Sequence, residues 1–155
     1  MTPDLLLRIL LTGAGATLCM DLWALLLKRR FGIPSLDYAL VGRWFHATIV
    51  TAPPRQGERA IGWILHYAIG LAFAFIPLGL AGIEWYAAPE PRIALLSGWL
   101  SLAAPFLVMQ PALGFGVAAA KTANPRRARL LSLLTHTVYG LGLLIAARLL
   151  ATFYA

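Results

Sequence analysis

The stretch RLLSLLTHTVYGL at residues 129–141 combines a long apolar run with one titratable ring, His136, at its centre. A second stretch, RAIGWILHYAIGL at residues 59–71, has the same arrangement. The coinciding positions are Arg59 with Arg129, His66 with His136, Gly70 with Gly140, and Leu71 with Leu141. The match predicts two related apolar helices, each with a histidine at the same distance from a basic end.

The composition around these stretches is that of a membrane protein. The 155 residues are 60% hydrophobic and 12% charged, with a mean hydropathy of +0.76, which is too apolar for an ordinary soluble domain. Four windows are long enough to cross hydrocarbon about 30 Å thick, which takes about 20 helical residues. These windows are 5–27, 61–83, 93–120 and 130–153. We therefore predict an all-α membrane protein with a single membrane domain over 1–155.

The basic residues predict the orientation of these spans. Ten of the 13 Lys and Arg surround the first and third connections: Lys28, Arg29, Arg30, Arg43, Arg55, Arg59, Lys121, Arg126, Arg127 and Arg129. Basic loops favour the cytoplasmic side, so both termini and the loop 84–90 are expected to face outward. The net charge of +7 is thereby explained by a lipid bilayer as the partner, and no nucleic-acid partner is expected.

Local signals add a short helix and two breaks. Ser35 can cap a helix over 36–47 in the first connection, with Asp37 in its first turn, and its apolar face suits the cytoplasmic membrane interface. In the third span, Pro105 and Pro111 remove backbone hydrogen bonds and predict a kink or local unwinding. Unwound backbone at that depth requires cover from protein or a wet cavity, so this span should face the bundle interior.

The first and third spans repeat more faintly, as LCMD at 18–21 and LVMQ at 107–110. Spans one and two then correspond to spans three and four. Because each unit crosses the membrane twice, both copies enter from the same side. The expected architecture is two hairpins in a parallel repeat, related by an axis along the membrane normal.

Four polar residues are expected to meet inside the bundle. Counting at 1.5 Å per residue from the basic ends places Asp21, His66, Gln110 and His136 in one layer, roughly 10 to 16 Å deep. Intramembrane ionisable groups usually face the bundle interior and mark a functional site. We expect Asp21 to pair with His66, and Gln110 with His136. Five further residues are expected to support the layer. Thr17, Gly70 and Gly140 permit close helix packing, and Arg59 and Arg129 provide the basic ends.

Three functions remain open for this layer. One is proton-coupled or small-solute transport, for which a homodimer of eight spans would provide room. Another is haem or metal binding, with His66 and His136 as ligands, Arg59 and Arg129 near propionates, or Asp21 as a third metal ligand. The last is a structural bundle without turnover. No nucleophile and base pattern indicates an enzyme, so catalytic residues stay unknown, and the lone Cys19 excludes paired-thiol chemistry.

Three segments resemble a known family: FGIPSLDYALVGRW (31–44), APFLVMQPALGFGVAAAKTANP (104–125) and LLTHTVYGLGL (133–143). They are similar to the bacterial integral membrane proteins grouped as domain of unknown function 2938, over nearly the whole length. The resemblance implies a four-helix protein of the bacterial inner membrane. It implies no activity, substrate or catalytic residue.

Overall fold

The computed structural model describes residues 2–34, 37–50 and 57–153. The α-helices are α1 (Pro3–Phe31), α2 (Tyr38–Phe45), α3 (Glu58–Phe73), α4 (Ile76–Ala81), α5 (Pro91–Leu100), α6 (Gln110–Ala112) and α7 (Pro125–Phe153). Two π-helical turns, His46–Val50 and Pro105–Met109, follow α2 and precede α6. Short 3₁₀ helices cover Ile83–Tyr86 and Val117–Ala119. No strand occurs among these described residues.

Four helical stretches are long and apolar enough to cross a membrane: Pro3–Phe31, Glu58–Ala81, Pro91–Ala112 and Pro125–Phe153. This confirms the prediction of an all-helical chain with four such helices. The third stretch ends at Ala112, well before the predicted residue 120. Gly114 and Gly116 end it, because both adopt the positive φ values (82° and 73°) that a helix cannot accommodate.

The ends of α1 and α2 are capped by their own sequence. The Thr2 hydroxyl accepts a hydrogen bond from the amide of Leu5, and Gly32 closes α1 in the left-handed conformation. The carboxylate of Asp37 caps α2 by accepting from the amide of Ala39 at 3.0 Å. The predicted cap Ser35 and the expected first helical residue, Leu36, lie outside the described residues, and the described helix runs from Tyr38 to Phe45.

The helices pack as antiparallel neighbours, with α1 between α3 and α7, and α5 against α7. Glycines set the closest approaches. A Cβ on Gly142 would lie 2.8 Å from Cα of Ala16, and one on Gly140 would lie 2.7 Å from the carbonyl oxygen of Ala94. Helix backbones can meet this closely only where side chains are absent.

This packing brings the basic connections to one end of the bundle. The C-terminal turn of α1, the first turn of α3 and the first turn of α7 all lie there, and we call it the basic end. Towards the opposite end, the Tyr139 hydroxyl near the middle of α7 donates to the carbonyl of Gly70 at 2.6 Å, and farther along the Tyr86 hydroxyl donates to the carbonyl of Ala74. Both tyrosines are almost fully buried, so we call it the packed end.

The third membrane-length stretch breaks where proline predicts it. Helix α5 ends at Leu100, and the chain resumes as the π-helical turn that begins at Pro105. Pro105 has no amide hydrogen to donate to the preceding turn, so regular α-helical bonding cannot continue through it. The amide of Leu102 instead donates to the carbonyl of Trp99 at 3.1 Å.

Many large apolar side chains on these helices face outward. Ile64, Leu107 and Leu149 are 67%, 63% and 58% exposed. Contiguous apolar surface on this scale is unusual for a soluble monomer, because its exposure to water is unfavourable. Contact of the same surface with lipid hydrocarbon avoids that penalty. The exposed faces and the helix lengths are together consistent with a membrane protein.

Candidate functional site

A cavity of about 410 Å³ lies between the helices towards the basic end. It is lined by α1, α2, α3, α7 and the π-helical turn before α6, and it extends to the connections after α1 and after α6. All four residues of the predicted polar layer line it: Asp21, His66, Gln110 and His136. The structure thus brings the four together around one space.

Asp21 and His66 form the expected pair. Nε2 of His66 lies 3.0 Å from Oδ1 of Asp21, and each side chain is 16% exposed. The second carboxylate oxygen, Oδ2, accepts the hydroxyl of Tyr67 at 2.9 Å. The Tyr38 hydroxyl lies 3.2 Å from the same Nε2. The carboxylate is therefore held by α3, and the imidazole is shared between α1 and α2.

An aromatic group surrounds this pair. The ring centroid of Tyr38 lies 4.4 Å from that of Trp63 and 4.6 Å from that of His66, with the planes tilted by 45° and 38°, and the centroid of Tyr67 lies 5.6 Å from that of His66. Sequence reasoning missed this group. Its signal was present in the spacing of Trp63, His66 and Tyr67, which places them on one face of α3.

Helix α2 reaches the site because glycines let it lie against α3. A Cβ on Gly62 would approach the carbonyl oxygen of Tyr38 to 1.9 Å, and a Cβ on Gly42 would approach the carbonyl oxygen of Glu58 to the same distance. Any side chain at either position would push α2 away. Tyr38 would then lose its contact with His66.

The hydroxyl of Tyr38 stays protonated over a wide range of pH. Burial of the phenol raises its pKa, and the negative charge of Asp21 raises this pKa further. Nε2 of His66 carries the hydrogen that Oδ1 of Asp21 accepts, so the Tyr38 hydroxyl oxygen meets this nitrogen as a second acceptor of the same hydrogen.

His136 bonds to Ser101 rather than to Gln110. Its Nδ1 lies 2.7 Å from Oγ of Ser101, whose hydroxyl also lies 2.7 Å from the carbonyl of Gly98. That carbonyl needs a donor, because the amide of Leu102 has turned to Trp99. A hydroxyl has one hydrogen, so Ser101 donates to Gly98 and accepts from Nδ1–H of His136. The lone pair of His136 then lies on Nε2, which has no protein partner among the described residues.

Gln110 likewise differs from the expectation. Its Nε2 donates to Oγ of Ser132 at a long 3.4 Å, and its Oε1 is buried with no hydrogen-bond partner in the described part of the chain. The predicted pair of Gln110 with His136 is therefore not formed. Buried acceptors are usually satisfied, so an unpaired amide oxygen in a cavity wall leaves a position for a ligand or a water molecule.

The supporting residues lie in two places. Thr17 donates to the carbonyl of Gly13 at 2.8 Å and packs against Gly70, at the packed-end limit of the cavity. Gly140 contacts α5, as described above. Arg59 lies 3.7 Å from Asp37, and Arg129 donates from Nε to the carbonyl of Ala118 at 2.8 Å. The two arginines hold connections at the basic end and are not among the residues that line the cavity.

The sequence profile of the proteins described as protein of unknown function (DUF2938) matches residues 10–150. The chain belongs to this family. No match was found among curated proteins or among solved structures. Membership of the DUF2938 family confirms the resemblance carried by the three quoted segments, and the match covers every residue of the cavity wall named here.

The described residues of this DUF2938 chain give little support to a metal site or a haem site. Among the described residues, no three His, Cys, Asp or Glu side chains are grouped as a metal site would need, so Asp21, His66 and His136 do not form the expected set. Nε2 of His66 is already within bonding distance of Asp21 and Tyr38. Ligation of haem iron through this nitrogen would break both contacts.

A second, lateral groove of about 490 Å³ meets the cavity at Asp21. Asp21, Ala24 and Tyr38 line both spaces and separate them. Lys28, Arg59 and Asp37 also lie along the groove, so it carries both basic and acidic side chains. The Asp21 carboxylate is accordingly reached from two sides.

Proposed function

We propose that this protein moves a small solute across the bacterial inner membrane and that the movement is coupled to a proton held by Asp21 and His66. One observation supports this most: an ionisable acid and imidazole, 3.0 Å apart, lie in the wall of a cavity large enough for a small molecule. Such groups are rare within membrane spans and usually belong to ion or proton pathways.

The hydrogen bonds explain how a solute and a proton could influence one another. A proton on His66 neutralises the charge of Asp21 through their contact, whereas its departure leaves the carboxylate negative. The charge inside the cavity thus depends on one proton. Any solute that is sensitive to this charge binds with an affinity that depends on pH, which is the thermodynamic requirement for coupling.

The cavity opens towards one end of the bundle only, and we propose that this arrangement is the resting state of the transporter. The cavity reaches the connections at the basic end, while the hydrogen bond from Tyr139 to Gly70 bounds it towards the packed end. Alternating access would require the packed half to separate. The interruptions after Leu100 and between Phe73 and Ile76 are the positions where the second and third spans can bend.

Orientation and assembly are part of the same proposal. We place the basic end in the cytoplasm and both termini outward, as the distribution of Lys and Arg favours. Helix α2 then lies at the cytoplasmic interface. The two-hairpin parallel repeat rests on the sequence matches at His66 and His136 and at Asp21 and Gln110. A homodimer would supply further walls, because a four-span bundle has few helices to share between two gates.

Proton movement in proteoliposomes tests the proposal. The protein is reconstituted with a pH-sensitive dye inside the vesicles, and a panel of small cations, anions and neutral solutes is added outside. At least one class should trigger a pH change that is absent from empty vesicles and from vesicles with Asp21→Asn. If no class does so with correctly folded protein, a structural bundle without turnover is the better description.

A further inference from the structure

We infer that the solute is a small organic cation with N–H donors, such as a primary ammonium on an apolar body. This inference rests on the proposed function, whose cavity it concerns. The geometry that carries it is a cavity that has Asp21 as its only carboxylate, no Lys or Arg, and a buried unpaired amide oxygen, Oε1 of Gln110, among the described lining residues.

The charge of the wall excludes anions. No Lys or Arg belongs to the described lining, although the chain carries 13 of them. Of the basic residues outside the lining, Arg59 lies beside Asp37 and Arg129 donates to the carbonyl of Ala118. A carboxylate or phosphate in this cavity would face the Asp21 carboxylate with no Lys or Arg in the wall to offset the repulsion, which is costly at low dielectric.

Two polar atoms of the cavity wall can accept a hydrogen bond from a solute, so they favour a solute that carries N–H donors. Oε1 of Gln110 is buried and unpaired, and Nε2 of His136 carries a lone pair because Nδ1–H is committed to Ser101. Both residues belong to the same cavity wall as Asp21. An ammonium group carries up to three N–H donors, so it can satisfy these acceptors, whereas a quaternary ammonium has none to offer.

The rest of the wall suits an apolar body. Most lining side chains are aliphatic or aromatic: Met20, Ile69, Phe73, Met109, Leu113 and Phe115. The ring of Tyr38 adds an aromatic face next to the carboxylate, where a cation is favoured. A flat or branched hydrocarbon group of modest size fits this surface better than a sugar or a polyol does.

The same contacts indicate the coupling. A cation next to Asp21 and a proton on His66 both neutralise one carboxylate, so the two compete for it. Entry of the ammonium releases the proton from His66 to water, and return of the proton releases the ammonium. The exchange is one positive charge for another, and no oxidant or co-reactant is required.

Isothermal titration calorimetry of the purified protein at pH 8 tests the inference with four matched compounds: 2-phenylethylammonium, its N,N,N-trimethyl analogue, 2-phenylethanol and 3-phenylpropionate. We expect 2-phenylethylammonium to bind at least about tenfold more tightly than the others, as one charge-assisted hydrogen bond allows. Equal or tighter binding of the alcohol or the carboxylate would overturn the inference. Absence of binding by 2-phenylethylammonium at millimolar concentration would do the same.

Two variants assign the effect to Gln110. Gln110→Met keeps the size and removes the acceptor, so affinity for 2-phenylethylammonium should fall about tenfold while that for the trimethyl analogue stays unchanged. Gln110→Glu keeps an acceptor and should bind 2-phenylethylammonium at least as well as the native chain. An equal loss for both compounds in Gln110→Met would show that Gln110 acts through packing, and would refute its role as an acceptor.

The outcomes separate this inference from the proposed function. If an anion or neutral solute drives proton movement while ammonium compounds do not bind, the transport proposal stands and the substrate class is wrong. If ammonium compounds bind as expected and no proton movement follows, the site stands and transport is wrong.

Discussion

Nε2 of His66 lies 3.0 Å from Oδ1 of Asp21, which joins the first long helix to the second at the wall of the cavity. The other oxygen of Asp21 accepts from the hydroxyl of Tyr67, so both carboxylate oxygens contact side chains of the second helix. The contact between Asp21 and His66 is therefore best tested by a variant that removes the negative charge of Asp21 and keeps the shape of its side chain.

Asp21→Asn should abolish proton coupling without unfolding the protein. The amide has the same shape, can still accept from Tyr67 and can donate towards His66, so packing is preserved. Removal of the charge eliminates the reason for His66 to hold a proton. We expect solute-triggered proton movement to fall by at least about tenfold, because the carboxylate that compensates a positive charge on His66 is gone.

The dye assay in proteoliposomes measures this loss, with the thermal midpoint in detergent as the folding control. Native coupling in Asp21→Asn would contradict the assignment of the proton to this pair. A collapse of thermal stability together with unchanged coupling per folded molecule would instead favour a purely structural role.

Ser101→Ala should change the protonated nitrogen of His136. In the native chain Nδ1–H is held by Ser101, and ¹⁵N NMR of labelled histidine should show a neutral ring protonated at Nδ1. Alanine leaves this donor unpaired and should cost about 1–3 kcal/mol of stability. Thr137→Val, which removes an exposed hydroxyl that accepts from Trp99, is the matched control and should cost less. A native ring already protonated at Nε2 would refute the acceptor assigned to the cavity.

Gly70→Ala should destabilise the bundle near the cavity. The new Cβ would lie 2.0 Å from Oγ1 of Thr17, whose position is fixed by its bond to Gly13. Overpacking of this kind typically costs about 1–3 kcal/mol. Thr17→Ala should recover part of the loss in the double variant, because it removes the clashing oxygen.

The measurement is the thermal midpoint in detergent for the single and double variants. Gly79→Ala in α4 is the control, since nothing lies within 4 Å of its added Cβ and alanine is the better helix former there. A clash-driven effect requires Gly79→Ala to be neutral or stabilising. Equal losses at Gly70 and Gly79 would contradict the clash with Thr17 as the cause.

The sequence identified the residues of the cavity better than their partners. Asp21, His66, Gln110 and His136 are conspicuous because each interrupts an apolar run, and their offsets from basic ends predict depth. All four line one cavity. Their function stays a prediction, because the family match assigns no activity to any residue.

The wrong pairing of Gln110 with His136 has a physical origin in the third helix. A π-helical turn over Pro105–Met109 alters the register between α5 and α6, so Gln110 faces Ser132 instead. Periodicity cannot reveal such a turn. Tyr38 was missed for a related reason: its approach depends on the docking of α2 against Gly62, which is a tertiary contact and not a local pattern.

Stability should fall at alkaline pH partly through Tyr38. Burial and the nearby charge of Asp21 raise its pKa in the folded protein above the value of about 10 expected on unfolding. Below pH 10 both states hold the proton, and the contribution is constant. Above it the unfolded chain binds fewer protons than the folded one, so the free energy of unfolding decreases by up to about 1.4 kcal/mol per pH unit.

Thermal midpoints between pH 8 and 11.5 check this sign. The native protein should lose stability more steeply above about pH 10 than Tyr38→Phe, which lacks the titrating group. The two curves should be parallel below that pH. Parallel curves over the whole range would mean that the Tyr38 hydroxyl ionises equally in both states and is therefore not buried against Asp21.

The orientation of the bundle can be read from two exposed positions at opposite ends. In a Cys19→Ser background, Glu90→Cys places a thiol at the packed end before α5, and Arg127→Cys places one at the basic end in the first turn of α7. If the basic end is cytoplasmic, an impermeant maleimide added to intact spheroplasts should label Glu90→Cys only, and lysis should add labelling at Arg127→Cys.

The comparison is informative because the two sites are alike in exposure and differ mainly in side. Ten basic residues near two connections make the opposite insertion unfavourable, so a single orientation is expected in every molecule. Labelling of Arg127→Cys in intact spheroplasts would invert the topology. With the inverted topology, the basic end, which the cavity reaches, would face the outside. The proton at Asp21 would then exchange with the external medium and not with the cytoplasm.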